Sequence, residues 1–228
     1  MKFITLLVFT LTINAYFCQN RKQVRIIDSA SYVSQIDSLK SLFGYNKKIP
    51  RNHELSILLA LSYYPELDSS RIIFKESKIS TTLNARPTTL SLLFRKKTNR
   101  KYIVRINSVK KDSLVTLNEV PFNAKIGLFG HEFNHFIDYR KRNLIGVTKR
   151  LLAYTNKKSK ERFEKKIDSL TIKRGLGWQL YDWSFYVLHK SDAKLEYKKF
   201  KRMIYLEPKE ISAIIKKKKK AKRTKQGS

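Results

Sequence analysis

His131 and His135 stand four residues apart in the stretch FGHEFNHFIDY, with Glu132 directly after the first. On an α-helix, residues i and i+4 differ in direction by only about 40°, so the two imidazoles project side by side. Placed that way they can both reach one Zn²⁺, with nitrogen at about 2.0–2.1 Å from the ion. Glu132 sits about 100° round the helix from His131, beside such a metal rather than on it. There its carboxylate can take a proton from a metal-bound water and pass it to a leaving amine. Two ligands and a base do not complete a catalytic zinc site, which takes three protein ligands and keeps the fourth position for water.

The missing groups are found downstream in ERFEKKIDSLTIKRGLGW. Glu164 and Asp168 are again four apart in a helical segment and face the same side. Glu164 is the expected third ligand. Asp168 is expected to accept the free N–H of one histidine, orienting its ring and raising its basicity. Phe163, Ile167 and Leu170 can anchor this helix in a core, which makes the two acids partly buried and costly unless paired. Glu161, one turn earlier on nearly the same face, is the rival ligand, but it lacks an acid four residues later.

The motif needs a helix over 123–141. Asn123 follows Pro121 as an N-cap, and Ile126, Phe129, Phe133, Phe136 and Ile137 form an apolar stripe. Phe133 and Asn134 fill the variable positions, on a turn expected to be half buried and half facing a cleft. Further helices are expected over 29–44, over RNHELSILLALSYYPEL with Asn52 as N-cap and Pro65 as stop, and over 145–155, 159–174, 177–188 and 208–216. Between them RIIFKES, TTLSLLF and KYIVRIN read as strands, the last two as a hairpin, and SLVTLNEV as a further strand. The fold class expected is α+β: a small, mostly antiparallel sheet packed against the helix of the motif, then a helical C-terminal half.

The two motifs together resemble the gluzincin metallopeptidases, zincins in which HExxH is joined by a distant ExxxD; here these are HEFNH at 131–135 and EKKID at 164–168. The stretches TTLNARPTTLSLLFR, VPFNAKIGLFGHEFNHFIDY and IDSLTIKRGLGWQLYDW are also similar to a group of exported zincin-like proteins. HFIDYRKRN lacks the further Gly and His of metzincins, and the membrane helices of the prenyl-protease relatives are absent. The resemblance implies a zincin-like fold and a zinc-dependent peptidase. It also implies an edge strand above the active-site helix that binds a peptide or protein substrate by strand addition, with KYIVRIN or TTLSLLF the candidates. It places no oxyanion-stabilising residue. His53 and His189 read as structural, and Trp178, Tyr181 and Trp183 as core. Arg86, before Pro87, reads as a salt-bridge partner.

Composition limits the alternatives. The opening MKFITLLVFTLTINAYFCQN reads as a cleaved signal peptide over 1–18, with a positive Lys2 and an apolar run too short to span a membrane. An exported chain is expected, organised as one domain over 19–215. Cys18 is the one cysteine, so no internal disulfide is expected; the bulky Tyr16-Phe17 before it argue against a lipid anchor. Lys and Arg number 49 against 18 Asp and Glu, a net charge of +31. The charges are spread along the chain, which predicts weak attraction to anionic surfaces rather than a specific nucleic-acid site. The last thirteen residues, 216–228, carry eight cations up to 225 and are expected to be a disordered basic tail. A monomer is expected. The alternative to a peptidase is a non-catalytic exported metal protein whose basic surface binds anionic polymers.

Overall fold

The computed structural model describes residues 22–109 and 114–226; the expected signal peptide and Cys18 lie outside them. In chain order the elements are α1 (Ala30–Val33), α2 (Ile36–Phe43), β1 (Lys47–Lys48), α3 (Glu54–Leu61), β2 (Arg71–Ser77), β3 (Leu83–Pro87), α4 (Thr89–Phe94) and β4 (Lys101–Asn107). After them come α5 (Phe122–Lys141), α6 (Leu144–Ala153), α7 (Lys157–Thr171), α8 (Gly177–Phe185), α9 (Leu195–Ile204) and α10 (Pro208–Gln226). The chain is α+β with a helical C-terminal half. Among the described residues no helix is long and apolar enough to cross a membrane.

The sheet departs from the expected pairing. Its strand order is β1-β2-β4-β3, with β1/β2 and β2/β4 parallel and only β3/β4 antiparallel. RIIFKES and KYIVRIN are strands, but they pair with each other in parallel, Ile72 opposite Tyr102 and Phe74 opposite Val104. The antiparallel partner of β4 is Leu83–Pro87, not TTLSLLF, which forms the short helix α4. Thr89–Phe94 shows no alternation: Ser91 is buried and Leu92 packs on the core, while Leu90, Leu93 and Phe94 are exposed, and β-branched and aromatic composition does not by itself make a strand. SLVTLNEV holds a short 3₁₀ turn at Leu117–Glu119 instead of a strand.

Alternation in β2, β3 and β4 puts Ile72, Phe74, Leu83, Ala85, Tyr102, Val104 and Ile106 on one buried face. On that face lies α5. Phe129, Phe133 and Phe136 recur at i, i+4 and i+7 and form its ridge against the sheet. Phe74 meets Phe129 and Phe133 edge-on at 6.0 and 6.2 Å, and Tyr102 meets Phe136 at 4.5 Å. The buried guanidinium of Arg100 donates to the carbonyls of Tyr139 and Arg142, closing the C-terminal end of α5 onto the start of β4. Burying that ridge fixes the rotation of α5 and therefore the direction of everything on its other side.

Helix α8 crosses the far face of α5 at Gly127. A Cβ there would sit 2.2 Å from the backbone carbon of Gln179, so only glycine allows the two backbones this close. The approach to α8 runs through a wide turn at Ile172–Leu176 in which Gly175 takes φ 103°, a left-handed conformation suited to glycine. Asn123 does not cap α5, which begins at Phe122 after Pro121. Its side chain instead accepts from the backbone of Ile27 and donates to Asp182, joining the N-terminal segment, α5 and α8. Asn52 likewise lies in a short 3₁₀ turn, and α3 starts at Glu54. Ser34 and Gln35 interrupt the single helix expected over 29–44.

Two further differences concern the C-terminal half. Leu195–Ile204 forms a helix in addition to those expected. The residues expected to be a disordered tail continue α10 as helix to Gln226. Lysine is a good helix former, and α10 is already started by a buried face containing Ile211 and Ile215.

Candidate metal centre

With the aromatic ridge of α5 turned to the sheet, His131 and His135 lie roughly 200–240° round the helix from Phe129. They face α7. That helix is started by Asn156, whose side chain accepts from the Ser159 N–H. It buries Phe163 and Ile167 and carries Glu164 and Asp168 inward with them, 3% and 2% exposed. A buried network holds the two helices in register. Asn134 Nδ2 donates to Thr171 Oγ1 at 2.8 Å and to the Tyr64 hydroxyl at 2.9 Å, and Arg174 reaches both Asn134 Oδ1 and Glu66. Phe133 and Asn134 are thus fully buried, and neither faces a cleft.

The expected ligands converge. Nε2 of His131 is 3.2 Å from Nε2 of His135 and 3.1 Å from Oε2 of Glu164, and the third edge of the triangle is 3.5 Å. Ligands held at about 2.0–2.1 Å round a tetrahedral ion stand about 3.3 Å apart, so this triangle has the size of one face of such a tetrahedron. The protonation pattern points the same way. Asp168 Oδ1 lies 2.7 Å from Nδ1 of His131. A proton on Nδ1, donated to that carboxylate, leaves Nε2 as a lone pair aimed at the other two atoms. Among the described residues Oε2 of Glu164 is buried with no hydrogen-bond partner, although Nε2 of His131 is close. Three lone pairs aimed at one point repel unless a cation or a proton lies between them. His131, His135 and Glu164 form a buried group that can hold a metal ion.

The electrostatics of the metal-free group are those of a site with a shared proton. Burial lowers the His131 pKa, but the Asp168 and Glu164 carboxylates outweigh it and raise it to about 10. Burial likewise pushes the Glu164 carboxyl up, and the facing imidazoles of His135 and His131 overcome this and hold it well below the usual carboxylate range. A divalent metal would take the place of that proton.

Asp168 is itself fixed. Its Oδ2 accepts from the Leu206 N–H at 2.9 Å while Oδ1 takes the imidazole proton. Asp168→Asn should therefore weaken metal binding by roughly 10- to 100-fold, the usual cost of losing such an orienting partner. Competition against a chromophoric chelator would measure this; an unchanged dissociation constant would remove Asp168 from the site.

Glu132, 8% exposed, is outside the ligand triangle and lines a cavity that also meets His131 and Asp168. Glu161, the rival ligand, points away and pairs with Lys165 at 3.1 Å. Neither remaining histidine joins the group. His53 is buried elsewhere, its pKa lowered to about 4 by burial and by Lys125, and exposed His189 packs on Phe185. Arg86 is exposed on β3 and makes no ion pair among the described residues. Trp183 is buried as expected and also lines the cavity; Trp178 and Tyr181 are half-buried against the core, with Arg25 over their rings.

Three contributors had no motif to announce them. The Tyr154 hydroxyl donates to Oε1 of Glu164 at 2.6 Å, which turns Oε2 toward the histidines. Burial and the adjacent Glu164 carboxylate raise the pKa of that phenol far above its ordinary value, so it stays a donor. The ring of Tyr205 sits 5.6 Å from that of His131, and burial with the nearby Glu164 and Glu132 carboxylates keeps its phenol protonated as well. Lys201, on α9, reaches the same cavity. No family model, curated protein or solved structure matches the chain, so a functional reading rests on this constellation alone.

Proposed function

We propose that the protein is an exported zinc-dependent peptidase of the zincin type. The observation that carries this reading is the convergence of three buried ligand atoms, from His131, His135 and Glu164, beside a cavity lined by the carboxylate of Glu132. A two-nitrogen, one-oxygen donor set suits Zn²⁺ and leaves a coordination position open. When bound, the ion would supply Lewis-acid polarisation of a water and of the substrate carbonyl. The chain's own residues do the rest. Glu132 accepts the proton of the attacking water and returns it to the departing amine. Asp168 holds the His131 tautomer, and Tyr154 holds the Glu164 carboxylate.

An extended peptide is best accommodated along β3. This is the edge strand of the sheet on the side away from β2, and Leu83 at its start, with Thr81 and Thr82 just before, lines the cavity that contains Glu132. Strand addition there would lay a substrate carbonyl past the triad. KYIVRIN cannot take this role, because β4 is hydrogen-bonded on both sides.

The purified protein should contain about one zinc per chain by plasma emission spectrometry. It should cleave members of a fluorescence-quenched peptide library, lose that activity with 1,10-phenanthroline and recover it on adding zinc. Hydrolysis that survives metal removal would refute the mechanism. Stoichiometric zinc without any hydrolysis would favour instead a metal-containing binding protein whose excess positive charge engages anionic polymers.

A further inference from the structure

The cavity beside the triad contains polar groups that the proposed reaction does not use. Its volume is about 80 Å³. That is well above the ~10–15 Å³ needed for one water and below the ~150 Å³ of a cavity that takes benzene. Leu83, Leu128, Leu180 and Val187 give it apolar walls, so it suits a small aliphatic side chain. One side is formed by α9, which presents Tyr197, Phe200 and Lys201 at i, i+3 and i+4 on a single face.

Two of these groups lack the partner their chemistry calls for. The hydroxyl of Tyr197 is buried with no hydrogen-bond partner among the described residues. The ammonium of Lys201 lies 4.1 Å from the Tyr205 ring, 5.4 Å from Tyr197 and 5.6 Å from Trp183, and it forms no ion pair among the described residues. Aromatic faces offset part of its charge but offer no anion. Lys160, from α7, adds a second cation, 4.9 Å over Phe200. Tyr205 links this group to the metal ligands, since its ring touches both the Lys201 ammonium and His131. Glu132 and Lys201 line the same cavity, so a substrate residue held there meets both.

We propose that this cavity is a subsite for the residue just beyond the cleaved bond, a residue with a small aliphatic side chain and a carboxylate. The side chain fills the apolar pocket; the carboxylate accepts from the Lys201 ammonium and the Tyr197 hydroxyl. The assignment deepens the peptidase reading and rests on it. The carboxylate could be the C-terminal one of a short peptide or that of an acidic side chain.

The test compares zinc-loaded wild type with Lys201→Met and Lys201→Arg on N-acylated peptides ending in valine, as free acid and as amide, and on an amide ending in aspartate. Wild type should favour the valine acid over its amide by roughly tenfold or more in kcat/KM, the usual effect of a hydrogen bond to a charged group. Lys201→Met should bring that ratio close to one, and Lys201→Arg should retain most of it. Preference for the valine acid alone identifies the C-terminal carboxylate; comparable cleavage of the aspartyl amide, lost in Lys201→Met, identifies the side-chain source. A wild-type ratio near one, or one that Lys201→Met leaves unaltered, overturns the subsite while the peptidase reading stands. If no peptide is cleaved, the peptidase reading fails, and binding of N-acetylvaline against N-acetylvalinamide decides the subsite. Tighter binding of the acid that weakens about tenfold in Lys201→Met upholds it; equal binding overturns it.

Discussion

Glu132→Gln is expected to lower peptide hydrolysis by roughly two to four orders of magnitude, the range for removing a general base, and to leave zinc bound. The two halves of this result follow from one geometric fact. Glu132 follows His131 in sequence, but on α5 it points into the cavity and contributes no atom to the ligand triangle. Glutamine keeps the size and a hydrogen-bonding carbonyl but cannot accept the proton. The ridge of Phe129, Phe133 and Phe136 holds α5 from the other side, so the fold has no reason to change. Hydrolysis rates with metal content on the same samples read both halves. Zinc lost together with activity would mean that Glu132 is a ligand, and full activity with zinc retained would mean that the base lies elsewhere.

The residues of the group that can hold a metal ion were legible in the sequence because their geometry is local. Two histidines at i and i+4, and two acids at i and i+4, each fix a face of one helix without knowledge of the rest of the chain. That the acids turn inward was also readable, because Phe163 and Ile167 on the same helix must be buried; Phe129 and Phe133 pack on the sheet, so the meeting of the two faces depends on tertiary packing. The sheet was not legible in the same way. β2 and β4 pair in parallel across β3 and α4, and alternation within a strand records which face is buried but not which neighbour it has or in which direction. The run TTLSLLF is apolar without period, and such short runs do not distinguish a strand from a helix.

The neighbours of the ligands were missed for a related reason. Tyr154 acts on Glu164 from the turn before α7, and Asp168 is tied to the backbone of Leu206. Such contacts depend on how the loops return. In α9 the cavity-facing Tyr197, Phe200 and Lys201 are interspersed among further lysines and an arginine that obscure the helical period. A spacing of three and four between Tyr197, Phe200, Lys201 and Ile204 was the available signal.

His131→Ala is the second large effect, and it links metal binding to stability. In wild type, zinc at about a thousand times its dissociation constant would stabilise the fold by about 4 kcal/mol, which in a chain of this size raises Tm by roughly 8–16 °C. His131→Ala deletes one ligand and the acceptor of the proton shared with Asp168 and Glu164, so the zinc-dependent rise should vanish. The metal-free proteins should differ as well. The folded His131 pKa of about 10 lies above the ordinary value of 6.5. The folded state therefore binds this proton more tightly than the unfolded one, and stability falls as pH rises. The contribution is complete below about pH 6.5, declines through the interval and is gone above about pH 10. Metal-free wild type should thus lose Tm between pH 6.5 and 10, His131→Ala should lack that decline, and zinc-loaded wild type should also lack it, because the ion takes the place of the proton. Thermal melts across this range, with and without zinc, separate the three curves. A variant that keeps the zinc-dependent rise would show that His131 is not a ligand.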